Sequence, residues 1–275
     1  MRFTKMNGAG NDFLILDAKR EPLPMQSLPA IAKTLCDRRR SLGADGLMVV
    51  TEADDADFAM LFFNPDGTMG EMCGNGARCI CRYGFENGYC GETQTVRTTA
   101  GIVTGERIDR RNYRIRLPDP SELTLYLQLS VNRRNYTCAY VVLGDPGIPH
   151  AVVEYPGLAR ADENRLFELG RAFRYHPSFP KGANVNFFAL TGKDEVLLKT
   201  YERGVEDFTY ACGTGTGSVA AALYAQNRIS GRNVRFTMQG GVLTMDTENG
   251  LYLTGATKLV AVGEIKDEDL EGEEI

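Results

Sequence analysis

YACGTGTGS, residues 210–218, sets a cysteine directly before a run of glycine and threonine, and the apolar stretch SVAAALYAQNR continues from it. EMCGNGARC, residues 71–79, has the same form and leads into ARCICRYGFENG. A glycine-rich turn that enters a helix leaves backbone N–H groups without intrahelical partners, aligned with the positive end of the helix dipole. Such a place holds an anion, and a carboxylate suits it as well as a phosphate. It also draws a thiol pKa below its usual ~8.5, so that a thiolate is accessible near neutral pH and serves as a general base. The glycines follow neither phosphate-binding pattern. GTGTGS lacks the lysine of a P-loop, its spacing is not that of a dinucleotide site, and NGAGNDF near the start fails in the same way.

The surroundings of the two stretches repeat. Before the first, LPAIAKTLCDRRR (28–40) reads as an amphipathic helix ending in basic residues, and GLMVV and FAMLFF read as strands. Before the second, ENRLFELGRAFRY (163–175) reads as a helix, and ANVNFFAL and EVLLKTYE as strands. After each Cys-Gly-x-Gly comes a helix and then strands: TQTVRTT and YRIRL in one half, VRFTM, VLTMD and LYLTG in the other. RFTKM and FLILD flank the turn NGAGND at the start, and Gly88 stands near the end of the first apolar helix. A duplicated domain follows, divided at PDP (118–120) into 1–118 and 119–258. Strands are many and helices few, without regular alternation, which is the pattern of an α+β fold rather than a doubly wound sheet.

The composition narrows the chemistry. The chain has 275 residues, 43% apolar and 24% charged, with a net charge of −5. It lacks the basic face that nucleic acid requires. MRFTKMNGAGNDF is too polar for a signal peptide, and no apolar run reaches the ~18–20 residues of a membrane helix. The expectation is a soluble cytoplasmic protein acting on a small molecule, with an acidic tail, KDEDLEGEEI, that is solvated. Seven cysteines without a Cys-x-x-Cys pair suggest neither a disulfide framework nor a zinc site, and most read as small buried apolar residues. Only two histidines, His150 and His176, are available for chemistry that needs one.

Two cysteines at two helix N-termini suit one reaction especially. A carboxylate held by both sets of N–H groups is polarised; one thiolate removes the proton from the adjacent carbon, and preorganised donors stabilise the charge that flows into the carboxylate. The second cysteine, still a thiol, returns a proton on the opposite face. The stereocentre inverts without metal or pyridoxal phosphate, and the two titrations are coupled. A thiol redox protein using Cys73 and Cys212 as a disulfide pair is the reading from another class.

At these residues the chain resembles the diaminopimelate epimerases, of the cofactor-independent amino-acid racemases. KMNGAGNDF (5–13), FNPDGTMGEMCGNGARC (63–79), GANVNF (182–187), YERG (201–204) and ACGTGTG (211–217) occur in the family's order, nearly end to end. The resemblance implies two pseudo-symmetric domains, each a β-rich, barrel-like shell around a central helix, with the active site in the cleft between them. It also implies a last strand, 259–275, that returns to the first domain, and a homodimer. Cys73 and Cys212 would be base and acid. Gly74, Asn75, Gly213 and Thr214 would hold the reacting carboxylate, Asn11 and Glu202 the reacting amino group, and Asn64, Asn184 and Arg203 the distal amino-acid head. His150 and Glu202 would tune the thiols. Three positions depart from the pattern. Ile148, in GDPGIPH, replaces an asparagine for the distal carboxylate; Gly46 stands where some members carry glutamine; Asn7 replaces a common histidine. The first leaves open an epimerase of another amino acid.

Overall fold

A computed structural model describes residues 1–70, 73–266 and 268–270. The chain divides into two compact units, Met1–Ile115 with Gly255–Ile275, and Arg116–Thr254. The acidic tail beyond Leu270 lies outside the described residues.

The first unit is built on β1 (Arg2–Gly8), β2 (Asn11–Asp17), α1 (Leu28–Leu35), β3 (Gly46–Thr51), β4 (Phe58–Phe63), α2 (Gly74–Glu86), β5 (Thr93–Thr98), β6 (Gly101–Arg107) and β7 (Asn112–Arg116). The second contains β8 (Pro120–Val131), β9 (Arg134–Gly144), β10 (Gly147–Glu154), α3 (Glu163–Arg174), β11 (Asn184–Gly192), β12 (Glu195–Glu202), β13 (Asp207–Thr209), α4 (Gly213–Ala225), β14 (Val234–Met238) and β15 (Gly241–Asp246). β16 (Tyr252–Glu264) then carries the chain back to the first unit.

In the first unit the order β1-β2-β3-β4-β5-β6-β7-β16 closes on itself, because β16 also pairs with β1, antiparallel, from Arg2↔Glu264 to Gly8↔Thr257. Closure removes both sheet edges. α2 is the central helix: Gly74–Gly84 are buried throughout. Glycine is required where strand meets helix, since a Cβ on Gly8 of β1 would lie 2.9 Å from the Asn75 carbonyl oxygen. α1 covers the other face of β2 and β3, packing Ile31, Ala32 and Leu35 against Leu14, Leu16, Leu47 and Val49.

The second unit repeats the wiring. β2/β3 and β4/β5 are parallel pairs spanned by α1 and α2, and β10/β11 and β12/β14 are parallel pairs spanned by α3 and α4. A parallel pair needs such a crossover. The sheet runs β8-β9-β10-β11-β12-β14-β15, with β13 on β12. α3 packs Leu166, Leu169 and Phe173 on Val185, Phe187 and Tyr201. α4 is buried on nearly every side, as its run of small and apolar residues requires.

One helix is shorter than its sequence suggests. The amphipathic pattern over 28–40 extends five residues past Leu35, yet α1 stops there with Cys36 as C-cap. The Asp37 carboxylate accepts from the backbone N–H groups of Arg39 and Arg40, at 2.8 and 3.0 Å. This local turn competes with the helical ladder and wins.

Candidate active site

Both glycine-rich stretches are helix, not turn. α2 begins at Gly74 and α4 at Gly213, so the glycines form the first helical turn and each cysteine is the N-cap. Cys73 and Cys212 share an extended backbone, with φ −100° and ψ 122° in one and φ −121° and ψ 111° in the other. The Ala77 N–H donates to the Cys73 carbonyl at 2.8 Å, and the Thr216 N–H to that of Cys212 at 2.9 Å. Glycine is a poor helix former, but packing demands it here. A Cβ on Gly215 would lie 2.3 Å from Asn186 Oδ1 and 3.2 Å from Cys212 Sγ. The Cys212 sulfur accepts from the Gly215 N–H at 3.3 Å and lies 3.5 Å from Thr214 Oγ1. Cys212 is buried and Cys73 half-buried.

Around Cys73, the first unit gathers Asn75 and Asn11. Asn75 Nδ2 donates to Asn11 Oδ1 at 2.6 Å. Asn11 Nδ2 in turn donates to Asp45 Oδ2 at 3.1 Å. Behind them, the fully buried Arg78 donates to Asn75 Oδ1 at 2.7 Å and to the Gly74 carbonyl at 3.2 Å. Asn64 closes a tight turn instead: its Nδ2 donates to Thr68 Oγ1 at 3.0 Å, and its carbonyl accepts from Gly67 N–H. Gly46 holds no polar group, and its place has been filled, since a Cβ there would meet the Phe62 ring at 2.3 Å. Asn7 caps the turn at Gly10, accepting from its N–H at 3.4 Å.

In the second unit Asn184 and Arg203 come together: the Arg203 backbone N–H donates to Asn184 Oδ1 at 2.7 Å. The Arg203 guanidinium donates to the Lys181 carbonyl and is exposed. Glu202 ends β12; burial pushes its carboxyl up, against a smaller opposing effect of the Thr209 hydroxyl. Ile148 is half-buried on β10, opposite Leu143 of β9. His150 is wholly buried, and its Nδ1 lies 3.1 Å from Asn186 Nδ2. Asn186 Oδ1 accepts from Thr200 Oγ1 at 3.0 Å. Thus a chain of polar contacts runs from His150 through Asn186 to Thr200, and Asn186 abuts Gly215 in the first turn of α4.

Burial, with Arg203 adding like-charge repulsion, pushes the His150 imidazole down to about 3. The ring is therefore neutral at pH 7 and brings no positive charge to the thiols. Because the unfolded chain binds this proton more readily, the stability so conferred is complete above about pH 6.5 and is lost as pH falls through that value toward 3. At pH 5 the loss is roughly 2 kcal/mol. Urea unfolding at pH 7 and pH 5 should show a smaller acid loss in His150→Gln than in the unsubstituted protein; equal losses would contradict a buried neutral imidazole.

Asn186, Thr200, Arg78 and Asp45 were not singled out by the sequence reading. Asn186 was within reach: Asn184 and Asn186 are two apart on a strand and so share a face. Of the other five cysteines, Cys36, Cys79, Cys81 and Cys138 are buried, as expected of small apolar residues, and Cys90 is half-buried. Burial pushes Cys36, Cys79, Cys90 and Cys138 up to about 12, and Cys81 higher still.

Comparison with known proteins places the chain in a family. The family profile described as diaminopimelate epimerase matches residues 3–115 and 143–260. The diaminopimelate epimerase of Aquifex aeolicus is 35% identical over 285 residues, covering 98% of this chain and all of the relative. Among solved structures, a PhzF-family phenazine biosynthesis protein from Bacillus anthracis superposes with a TM-score of 0.70 at 16% identity, over 96% of this chain and 98% of its own. A probable proline racemase from Agrobacterium radiobacter gives 0.67 at 16% identity, over 96% and 92%. At such identities the two structures speak for the fold alone.

Proposed function

The chain belongs to the diaminopimelate epimerase family, and from that premise we propose that Cys73 and Cys212 are the two proton carriers in the interconversion of LL- and meso-diaminopimelate. This isomerisation serves lysine and peptidoglycan precursor synthesis. The observation that carries the assignment is the matched pair of helix starts: two cysteines, each the N-cap of a buried helix whose first turn is glycine-rich.

One cysteine, as thiolate, takes the α-proton. The electron pair left on carbon delocalises into the substrate carboxylate, whose growing charge is met by the first-turn N–H groups at Gly74 and Asn75 and at Gly213 and Thr214. The other cysteine, as thiol, delivers its proton to the opposite face, and a return of protons through solvent resets the pair. Asn11 and Glu202 take the reacting amino group. Asn64, Asn184 and Arg203 take the distal head, where the Arg203 guanidinium suits a carboxylate. His150 acts as a neutral support: it lies against Asn186, which abuts Gly215 in the first turn of α4. The scheme draws on proton transfers alone.

Proton NMR of reduced protein with LL-diaminopimelate in D2O tests it directly. The α-proton signal is expected to fade as meso product appears. If no exchange occurs with all thiols reduced, the substrate assignment fails. The same spectra with other amino acids would then show whether Ile148 and the Phe62-filled position at Gly46 mark a different side chain.

A further inference from the structure

Three residues stand in a row whose polarity is set from both ends. Arg78 carries only donors, so the Asn75 oxygen must face it. The Asn75 nitrogen then faces Asn11, which must present its oxygen. The Asn11 nitrogen is thereby left facing the Asp45 carboxylate oxygens, which accept. Every link is 3.1 Å or shorter.

Asp45 is itself firmly placed. Its Oδ2 also accepts from the Asp12 N–H at 3.1 Å, and its Oδ1 from Arg38 Nη2 at 2.7 Å. Its own N–H donates to the Asp12 carbonyl at 2.9 Å. Arg38 and Lys5 both pair with the Asp12 carboxylate, the latter at 3.0 Å. The whole assembly joins β1, β2, the segment after α1 and the start of α2.

We propose that Asp45 is a positioning residue for the reaction, setting which way round the Asn11 amide lies and, through Asn11, holding Asn75 and the first turn of α2 behind Cys73. The inference rests on the epimerase reading above. With the amide so oriented, Asn11 keeps a second lone pair on Oδ1 for a substrate ammonium. Reversed, it would offer an N–H to a group that only donates. Asp45 touches no reacting atom.

Asp45→Asn is nearly isosteric but cannot serve its surroundings. Arg38 on one side, and Asn11 with the Asp12 N–H on the other, all require an acceptor, and a single amide oxygen faces only one side. The expected result is a fall in kcat/KM of about tenfold to a hundredfold, the worth of a hydrogen bond to a charged group, carried mainly by KM because both thiols remain. Asn11→Ala/Asp45→Asn should be no slower than Asn11→Ala alone. Unchanged kinetics in Asp45→Asn, or effects that multiply in the double variant, would overturn the proposal.

Side-chain amide NMR of Asn11 and Asn75 supplies a readout that needs no turnover. In Asp45→Asn both signals should shift, although Asn75 does not reach residue 45; a change confined to Asn11 would break the relay. Should that variant fold poorly, Asn11→Asp/Asp45→Asn restores an acceptor between Asn75 and the new amide, and the Asn75 signal should return toward its original position. If the unsubstituted protein fails to exchange the substrate proton, the epimerase reading falls, and the amide spectra still decide the relay.

Discussion

Cys73→Ser is expected to lower epimerisation on the order of 10³-fold, and Cys212→Ser by a similar factor, yet neither should abolish every proton transfer. A serine hydroxyl has no accessible anion near neutral pH, so the substituted face loses its base. The remaining thiolate can still take a proton from its own side and return a solvent deuteron to that side. Each variant should therefore wash the α-proton out of one stereoisomer without inverting it, and the two variants should act on opposite configurations. Deuterium incorporation into separate samples of LL- and meso-diaminopimelate, followed by NMR, reads this directly. If both variants exchanged the same isomer, the cysteines would not serve opposite faces. If either retained full epimerisation, that cysteine would not be a proton carrier. A redox protein would lose only thiol turnover, a distinction the same samples make.

Gly215→Ala is expected to cost about 3 kcal/mol of stability and most of the activity. The added methyl group would sit 2.3 Å from Asn186 Oδ1 and 3.2 Å from both the Thr200 hydroxyl and the Cys212 sulfur. Asn186 cannot retreat freely, because it also donates to the Ala151 carbonyl at 3.2 Å and lies beside the wholly buried His150. Helix propensity works in the opposite direction, since alanine is favoured over glycine by about 1 kcal/mol. Contact outweighs propensity because the partners are buried and polar. Gly91→Ala is the control: a Cβ there meets nothing within 4 Å, and its urea midpoint should match that of the unsubstituted protein. A Gly215→Ala protein as stable as Gly91→Ala would show that the Asn186 amide does not press on α4.

Much of this was legible in the residues, for identifiable reasons. The repeat of helix, two strands, Cys-Gly-x-Gly and helix survives in the structure as the parallel pairs spanned by α1 and α2, then by α3 and α4. Those segments bury one strong apolar pattern each, and pattern is what a sequence displays. The helix starts were misplaced by a few residues because glycine signals a turn locally, while the requirement for glycine at 215 comes from the distant Asn186 side chain. β8, β9 and β10 were not read as strands. β8 alternates weakly, with mostly exposed residues from Ser121 to Gln128, and bulges interrupt its register with β9. At the site, motif order pointed to Asn11 and Asn75 but not to Asp45, whose importance lies in donors from two stretches of chain, Asn11 with Asp12 on β2 and Arg38 after α1.

The pairing of Arg2 with Glu264 has a consequence for how the molecule is made. On the ribosome, β1 to β7 emerge first but wait without the strand that seals their ring. The contiguous stretch Arg116–Thr254 is complete before the part of β16 that pairs with β1 and is free to condense while translation continues. Folding then completes in the reverse of synthetic order, and β1 and β7 remain open edges until β16 has been made. A nascent chain stalled before residue 255 would display those edges to every neighbour, and chaperones that shield unpaired strands would be needed most during that interval.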